Sequence, residues 1–207
     1  MNNPHQITRQ LEEEIARYTG APYCVCVDNE SNALFLSLKY DNIKDKDIWL
    51  PANTYMSVPC EVINAGGNVR FFESKGKTLK GAYFLKGSHV VDSALRFTAD
   101  MYFPGTFMCC SFTGPYKHLK LGKGGCILTD NDNAYKWFKK ARFSGRNECS
   151  YHTDNFEMTG WNFYMNPIIS ALGLLLMQQF YNFDGTKKEM PDLELPYPDL
   201  SKHIAYK

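Results

Sequence analysis

Short apolar runs alternate with longer segments of helical period along this chain, and that rhythm constrains its fold more than any other feature. The runs at 23–27, 48–50, 68–72, 89–92, 107–112 and 125–129 read as buried strands. Residues 6–18 place Ile7, Leu11, Ile15 and Tyr18 on one helical face, and Gly20 and Pro22 end that helix. Segments 31–40, 55–64 and 131–142 also read as helices, and Pro167 stands at the first position of another that runs to about Tyr181. Buried strands alternating with helices predict an α/β chain with three layers (α/β/α) and a mostly parallel sheet. The layered domain spans 1–181. Gly185, Pro191, Pro196 and Pro198 interrupt regular structure after it, so 182–207 reads as an extended tail.

Composition narrows the function classes. Of 207 residues, 44% are hydrophobic and 14% aromatic, which excludes a disordered or coiled-coil chain. Lys and Arg number 23 against 22 Asp and Glu, a net charge of +1, so neither nucleic acid nor a membrane surface is the expected partner. Seven cysteines form no CxxC pair and no zinc-ligand spacing, so no metal is expected. The opening residues lack the apolar core of a signal peptide, and the longest apolar stretch, 168–177, is too short to span a bilayer. A reduced, cytoplasmic protein is the expectation.

In such sheets ligands gather in the loops that follow the strands. After Val27, Ser31 lies near a helix start, where it either helps to hold a phosphate or, like Asn29, simply caps the helix. Tyr55, after the second strand, either stacks on a flat ring or packs in the core. Asp92 ends an apolar run, where a carboxylate pairs with a protonated ring nitrogen or caps the next turn. The stretch 111–125 gathers Ser111, Lys117, Lys120, Lys123 and several glycines without the pattern of a phosphate loop.

In this order the segments resemble the large domain of the DegT/DnrJ/StrS-type sugar aminotransferases, fold-type I enzymes that use pyridoxal 5'-phosphate (PLP). The resemblance runs from about Leu11 to Met177. It rests on Leu11 to Val27, on Pro51 to Tyr55 with Ala65 and Gly66, and on Asp92, Ser93 and Ala94 as a D-A-A motif. Gly122 to Gly125 resembles G-E-G-G, and Gly160 to Met165 resembles G-x-N-x-R-M. The resemblance implies that Lys117, five residues before Gly122, forms the internal Schiff base. It implies that Asp92 keeps the pyridine nitrogen protonated, so that the ring acts as an electron sink, and that Tyr55 stacks on the ring. Ser31 and Ser111 would hold the phosphate, with Asn162 reaching in from a second subunit of a homodimer with shared active sites. The implied reaction moves an amino group from an amino acid, commonly glutamate, to a keto sugar that is often nucleotide-linked.

The chain departs from that pattern at several points. Asn29, Glu30 and Ser31 replace S-G-T, which puts a carboxylate beside the expected phosphate. Leu95 replaces a polar residue, Tyr164 an arginine, and the run from Ser111 to Lys117 is one residue longer. The small C-terminal domain of the family is expected to be missing. Two readings follow: a PLP-dependent aminotransferase, or a catalytically degenerate member that serves as a binding or assembly subunit.

Overall fold

Side chains along a strand point alternately to its two faces, and here both faces are covered. A computed structural model describes residues 5–73 and 78–206. Its elements in chain order are α1 (Gln6–Thr19), β1 (Tyr23–Val27), α2 (Glu30–Tyr40), β2 (Asp47–Pro51), α3 (Ser57–Asn64) and β3 (Asn68–Phe72). There follow β4 (Thr78–Phe84), β5 (Val90–Leu95), β6 (Phe107–Ser111), β7 (Gly125–Thr129), α4 (Asp132–Ala141), α5 (Pro167–Met177) and β8 (Glu194–Pro196). Val25, Val27, Val90, Cys109 and Ile127 pack with α2, α3 and α4 on one face. Cys24, Cys26, Val91, Met108, Cys110 and Leu128 pack on the other face with Leu11, Ile15 and Tyr18 of α1 and with Met177 of α5. The three layers are therefore as expected.

The sheet direction is not. Six strands lie in the order β1-β7-β6-β5-β4-β8, and β2 pairs with β3 in a separate ribbon. Within the six, only β5 and β6 run parallel; the other pairs are antiparallel. The sheet is mixed rather than mostly parallel, and in two of its antiparallel pairs, β4–β5 and β6–β7, the connection folds straight back. Between β4 and β5 a tight turn has Leu85 N–H donating to Val90 O at 2.9 Å, with Gly87 at φ 101, and so tight a return forces antiparallel pairing. The loop from β6 to β7 also folds straight back, with Phe112 N–H on Gly124 O at 2.9 Å.

α1 ends where Gly20 takes a left-handed conformation, φ 75. Behind it lies a buried ionic knot that the sequence did not announce. Arg142 is fully buried and donates to both Glu12 and the Cys26 carbonyl, and to Glu148 at 2.7 Å. Lys139 pairs with Glu12 and Glu148 at 2.9 Å each, and Arg9 with Glu148 at 2.7 Å. Burial pushes the Glu148 carboxyl up, but Arg142, Lys139 and Arg9 together pull it down to about 2. This knot ties α1 to β1, α4 and the loop after α4.

The segment after α5 packs back on the body. Phe180 is buried against Tyr18, ring centroids 5.1 Å apart. Further on, β8 pairs with the β4 edge, Arg96 grips Asp192 through two hydrogen bonds of 2.8 and 2.7 Å, and Leu200 is buried.

Candidate active site

Val27, Gly125 and Ser111 lie side by side across β1, β7 and β6, so the ends of these strands meet at one edge. The N-terminus of α2 sits against that edge. A Cβ on Gly125 would come within 2.6 Å of the Glu30 backbone nitrogen and 2.8 Å of Cys110 O, so this close approach requires glycine. Asn29 is the N-cap of α2, its Oδ1 accepting from Asn32 N–H at 2.9 Å. Ser31 therefore falls inside the first turn, and capping belongs to Asn29.

Asp92 is buried and lies within β5, which continues to Leu95, instead of at a strand end. Its Oδ1 accepts from Ala94 N–H at 2.8 Å. Tyr83 stands directly opposite on β4, so both side chains share a face, and its hydroxyl meets Thr54 Oγ1 at 2.6 Å. Burial, and next the Asp92 charge, push the Tyr83 hydroxyl well above its ordinary range. Lys117 donates to Ala94 O at 2.5 Å, which brings its ammonium to the same cluster.

Glu30, at the first turn of α2, points into the middle of this group. Its Oε1 is buried with no donor, and its neighbour is the Asp92 carboxyl. Burial first and then Asp92 raise the Glu30 carboxyl well above the usual carboxylate range, against a smaller opposite pull from Lys117. Burial and the neighbouring Asp92 carboxyl together disfavour the charged form of Glu30. Tyr197, from the C-terminal segment, closes the group: it meets the Tyr55 ring edge-on at 5.9 Å, and Asn53 donates to its carbonyl at 2.8 Å. Burial and the charges of Asp92 and Glu30 push its hydroxyl up to about 12.

Of the residues singled out in the sequence, Asp92, Lys117 and Tyr55 surround Glu30 directly or through Tyr197, with Ser31 next to it in α2. Ser111 is buried at the end of β6, where its hydroxyl accepts from Thr113 N–H at 3.4 Å. Tyr55 is about half exposed, at 49%, so it is not a core residue. Asn162 is exposed, on a segment whose neighbour Phe163 accepts from Asp28 N–H at 2.9 Å. Sequence reasoning missed Tyr83, Thr54 and Tyr197. Tyr83 could have been found from the aromatic run that ends at the Lys86, Gly87, Ser88 turn, which is a hairpin signal. Tyr197 leaves no local signal.

A phosphorylated pyridoxal does not fit these residues. Glu30 stands in the first turn of α2, and its buried Oε1, which has no hydrogen-bond partner, lies beside the Asp92 carboxyl that the ring nitrogen would need. The ring nitrogen would need Asp92 free, but Asp92 lies beside Glu30 and Tyr83. Adding an anionic group to a buried acid pair is opposed by both charge and space.

Residues 3–81 and 104–193 match the DegT/DnrJ/EryC1/StrS aminotransferase family. The strand that carries Asp92 lies between the two matched stretches. Among curated protein sequences none matches this chain. Solved structures do. A GDP-4-keto-6-deoxymannose-3-dehydratase (ColD) variant with bound GDP-perosamine is similar at TM-score 0.67 and 16% identity, covering 84% of this chain and 61% of its own. An aminotransferase from Psychrobacter cryohalolentis is similar at 0.67 and 17%, covering 84% and 56%. A Streptococcus pneumoniae protein solved in its PLP form is similar at 0.65 and 17%, covering 84% and 59%. The chain thus spans about three fifths of the length of the structures it resembles. At these identities the likeness establishes the fold, that of fold-type I PLP enzymes. No helix among the described residues is long and apolar enough to cross a membrane.

Proposed function

This chain belongs to the DegT/DnrJ/EryC1/StrS aminotransferase family, and from that premise we propose that it is a cofactor-free member which serves as a binding or assembly subunit in the cytoplasm. One observation carries this reading: the Glu30 carboxyl, whose buried Oε1 lies against the Asp92 that the cofactor's ring nitrogen would need. The family's fold persists when its chemistry does not, because packing and catalysis rest on different residues.

The surface supports self-association as part of this reading. Ile168, Leu172 and Leu175 of α5 are 76%, 40% and 62% exposed and recur at i, i+4 and i+7, which makes one apolar stripe facing solvent. Asn162 lies shortly before α5 and is equally exposed. A homodimer would cover this stripe and bring Asn162 of each copy to the other. Leu175→Glu is therefore expected to convert a dimer into a monomer in size-exclusion chromatography with light scattering, while the melting temperature of the monomer stays close to the dissociated parent's. An unchanged elution position would remove α5 from the interface.

A second reading has its own support. Lys117 and Asp92 stand beside Glu30, with Ser31 next to it in α2 and Ser111 at the end of β6, which supports a PLP-dependent transfer of an amino group from an amino acid such as glutamate to a keto sugar. One experiment separates the two. The full chain is incubated with PLP, treated with borohydride and digested, and the pyridoxyl-lysine peptides are mapped by mass spectrometry. The cofactor-free reading expects Lys117 to be modified no more than exposed lysines such as Lys136. Preferential modification at Lys117 would establish the aminotransferase reading in its place.

A further inference from the structure

Away from the candidate site, four cysteines meet on the face of the sheet that α1 covers. Cys24 and Cys26 of β1, Cys126 of β7 and Cys110 of β6 are all buried there as free thiols, packed with Leu11 and Ile15. The register lines up three of them: Cys26 stands directly opposite Cys126, and Cys126 directly opposite Cys110. Cys24 lies two residues before Cys26 on the same face, and its thiol lies against those of Cys126 and Cys26.

These relations are not equivalent. Cys26 N–H donates to Glu12 Oε1 at 2.9 Å, and its carbonyl accepts from Arg142. Both backbone groups therefore turn away from β7, which makes Cys26 and Cys126 a non-hydrogen-bonded pair of the antiparallel ladder. In such a pair the Cα atoms stand about 4.5 Å apart and the side chains approach most closely. That separation lies inside the window of roughly 4.4–6.8 Å that a disulfide spans. Cys126 turns its own backbone groups toward β6, so Cys110 faces it across a hydrogen-bonded pair, where side chains are farther apart. Phe112 N–H on Gly124 O, two residues along, keeps the same phase. Cys24 is a diagonal neighbour of Cys126, a relation that sets Cα atoms about 7–8 Å apart, beyond a disulfide's reach.

We propose that Cys26 and Cys126 are a reversible redox pair, which a hydroperoxide joins into a cross-strand disulfide that staples the edge strand β1 to β7. One thiol takes an oxygen from the hydroperoxide: the O–O bond breaks, a sulfenic acid forms, and water or an alcohol leaves. The other thiol attacks that sulfur, the S–S bond forms and a water leaves, so two electrons pass from the thiols to the peroxide. A small thiol reverses the step by exchange. Hydrogen peroxide is little larger than water, and local opening of an edge strand admits it. Burial pushes both thiols above their ordinary range, so the pair reacts slowly and only while oxidant persists. The staple does not depend on whether the chain binds a cofactor.

The test uses the full chain with Cys60→Ser and Cys149→Ser, which removes the exposed thiols. It is reduced, treated with hydrogen peroxide, blocked with N-ethylmaleimide in urea and digested with trypsin without reduction. The expected product is a linked pair of peptides, 18–39 and 124–136, which dithiothreitol separates. The oxidised chain should melt about 10 °C above the reduced one, the effect of a cross-link that closes a loop of about 100 residues. Peptide 18–39 holds both Cys24 and Cys26, so Cys24→Ala and Cys26→Ala identify the thiol. The link and the rise should persist in Cys24→Ala and vanish in Cys26→Ala, with circular dichroism showing that both variants fold. Fragmentation of the linked peptides between the two cysteines places the bond in the parent as well, without any variant. A link that joins peptide 124–136 to Cys110, a link that survives Cys26→Ala, or a treated chain whose four thiols all still react with maleimide would overturn the proposal.

Discussion

Arg142→Met is expected to destabilise the fold by about 3–5 kcal/mol, the loss found when one partner of a buried ion pair is removed and the other is left behind. Arg142 is fully buried, and its guanidinium is shared by Glu12, Glu148 and the Cys26 carbonyl. Methionine fills much of the volume but leaves Glu12 with only Lys139 and the Cys26 N–H. A domain of this kind is stable by only about 5–15 kcal/mol, so the variant should sit near the edge of folding. Urea denaturation measures the loss. The double variant Arg142→Met with Glu12→Gln should be less destabilised than the two single changes summed, because the second change removes the charge that the first one stranded. The network also sets the acid limit. Glu148 is held down to about 2, so its stabilisation is present above its ordinary value of 4.5 and is lost as pH falls through about 2. Without Arg142 that carboxyl rises, and the loss on acidification becomes shallower. A change below about 1 kcal/mol, the scale of a surface ion pair, would show that the knot is not buried in solution.

The parts of the fold that were legible are those fixed by local period. α1, β1, α2, β3, β7 and α4 fall where the sequence places them, because a helical stripe such as Leu11, Ile15, Tyr18 and a run such as Gly125–Thr129 each declare their element within a few residues. Strand direction is different. A strand buried on both faces reads as the same apolar run whether its neighbour is parallel or antiparallel. The antiparallel sheet was therefore hidden, and with it β4, whose Gly81 and exposed Thr78 and Lys80 weaken the signal. The site divides in the same way. Asp92 and Lys117 could be named from their neighbours in sequence, and Glu30 could be seen to intrude on the phosphate turn. That Glu30 faces Asp92, that Tyr83 stands opposite on β4, and that Tyr197 arrives from the far end of the chain are long-range contacts. No window of sequence contains them.

Glu30→Gln is expected to leave the chain more stable than the parent above neutral pH, with a difference that grows as pH rises. In the parent, the Oε1 of Glu30 is buried beside Asp92 and the carboxyl titrates well above 4.5, whereas in the unfolded chain it titrates near that value. A group raised in the folded state contributes stability that is fully present below the unfolded value and is lost as pH rises through the folded one. From about pH 4.5 upward, then, the parent should lose about 1.4 kcal/mol per pH unit through this group, until it ionises in the fold as well. Glutamine has nearly the same shape, cannot ionise, and donates its amide to Asp92 at every pH. Urea unfolding of both proteins at intervals from pH 5 to pH 9 gives the difference curve, in which groups titrating alike in the two cancel. Asp92→Asn should flatten the same slope, since relieving either carboxyl relieves the pair. Parallel curves for parent and variant would mean that the Glu30 carboxyl stands in water rather than against Asp92. The first turn of α2 would then be open to an anion, and the case against the cofactor would lose its main support.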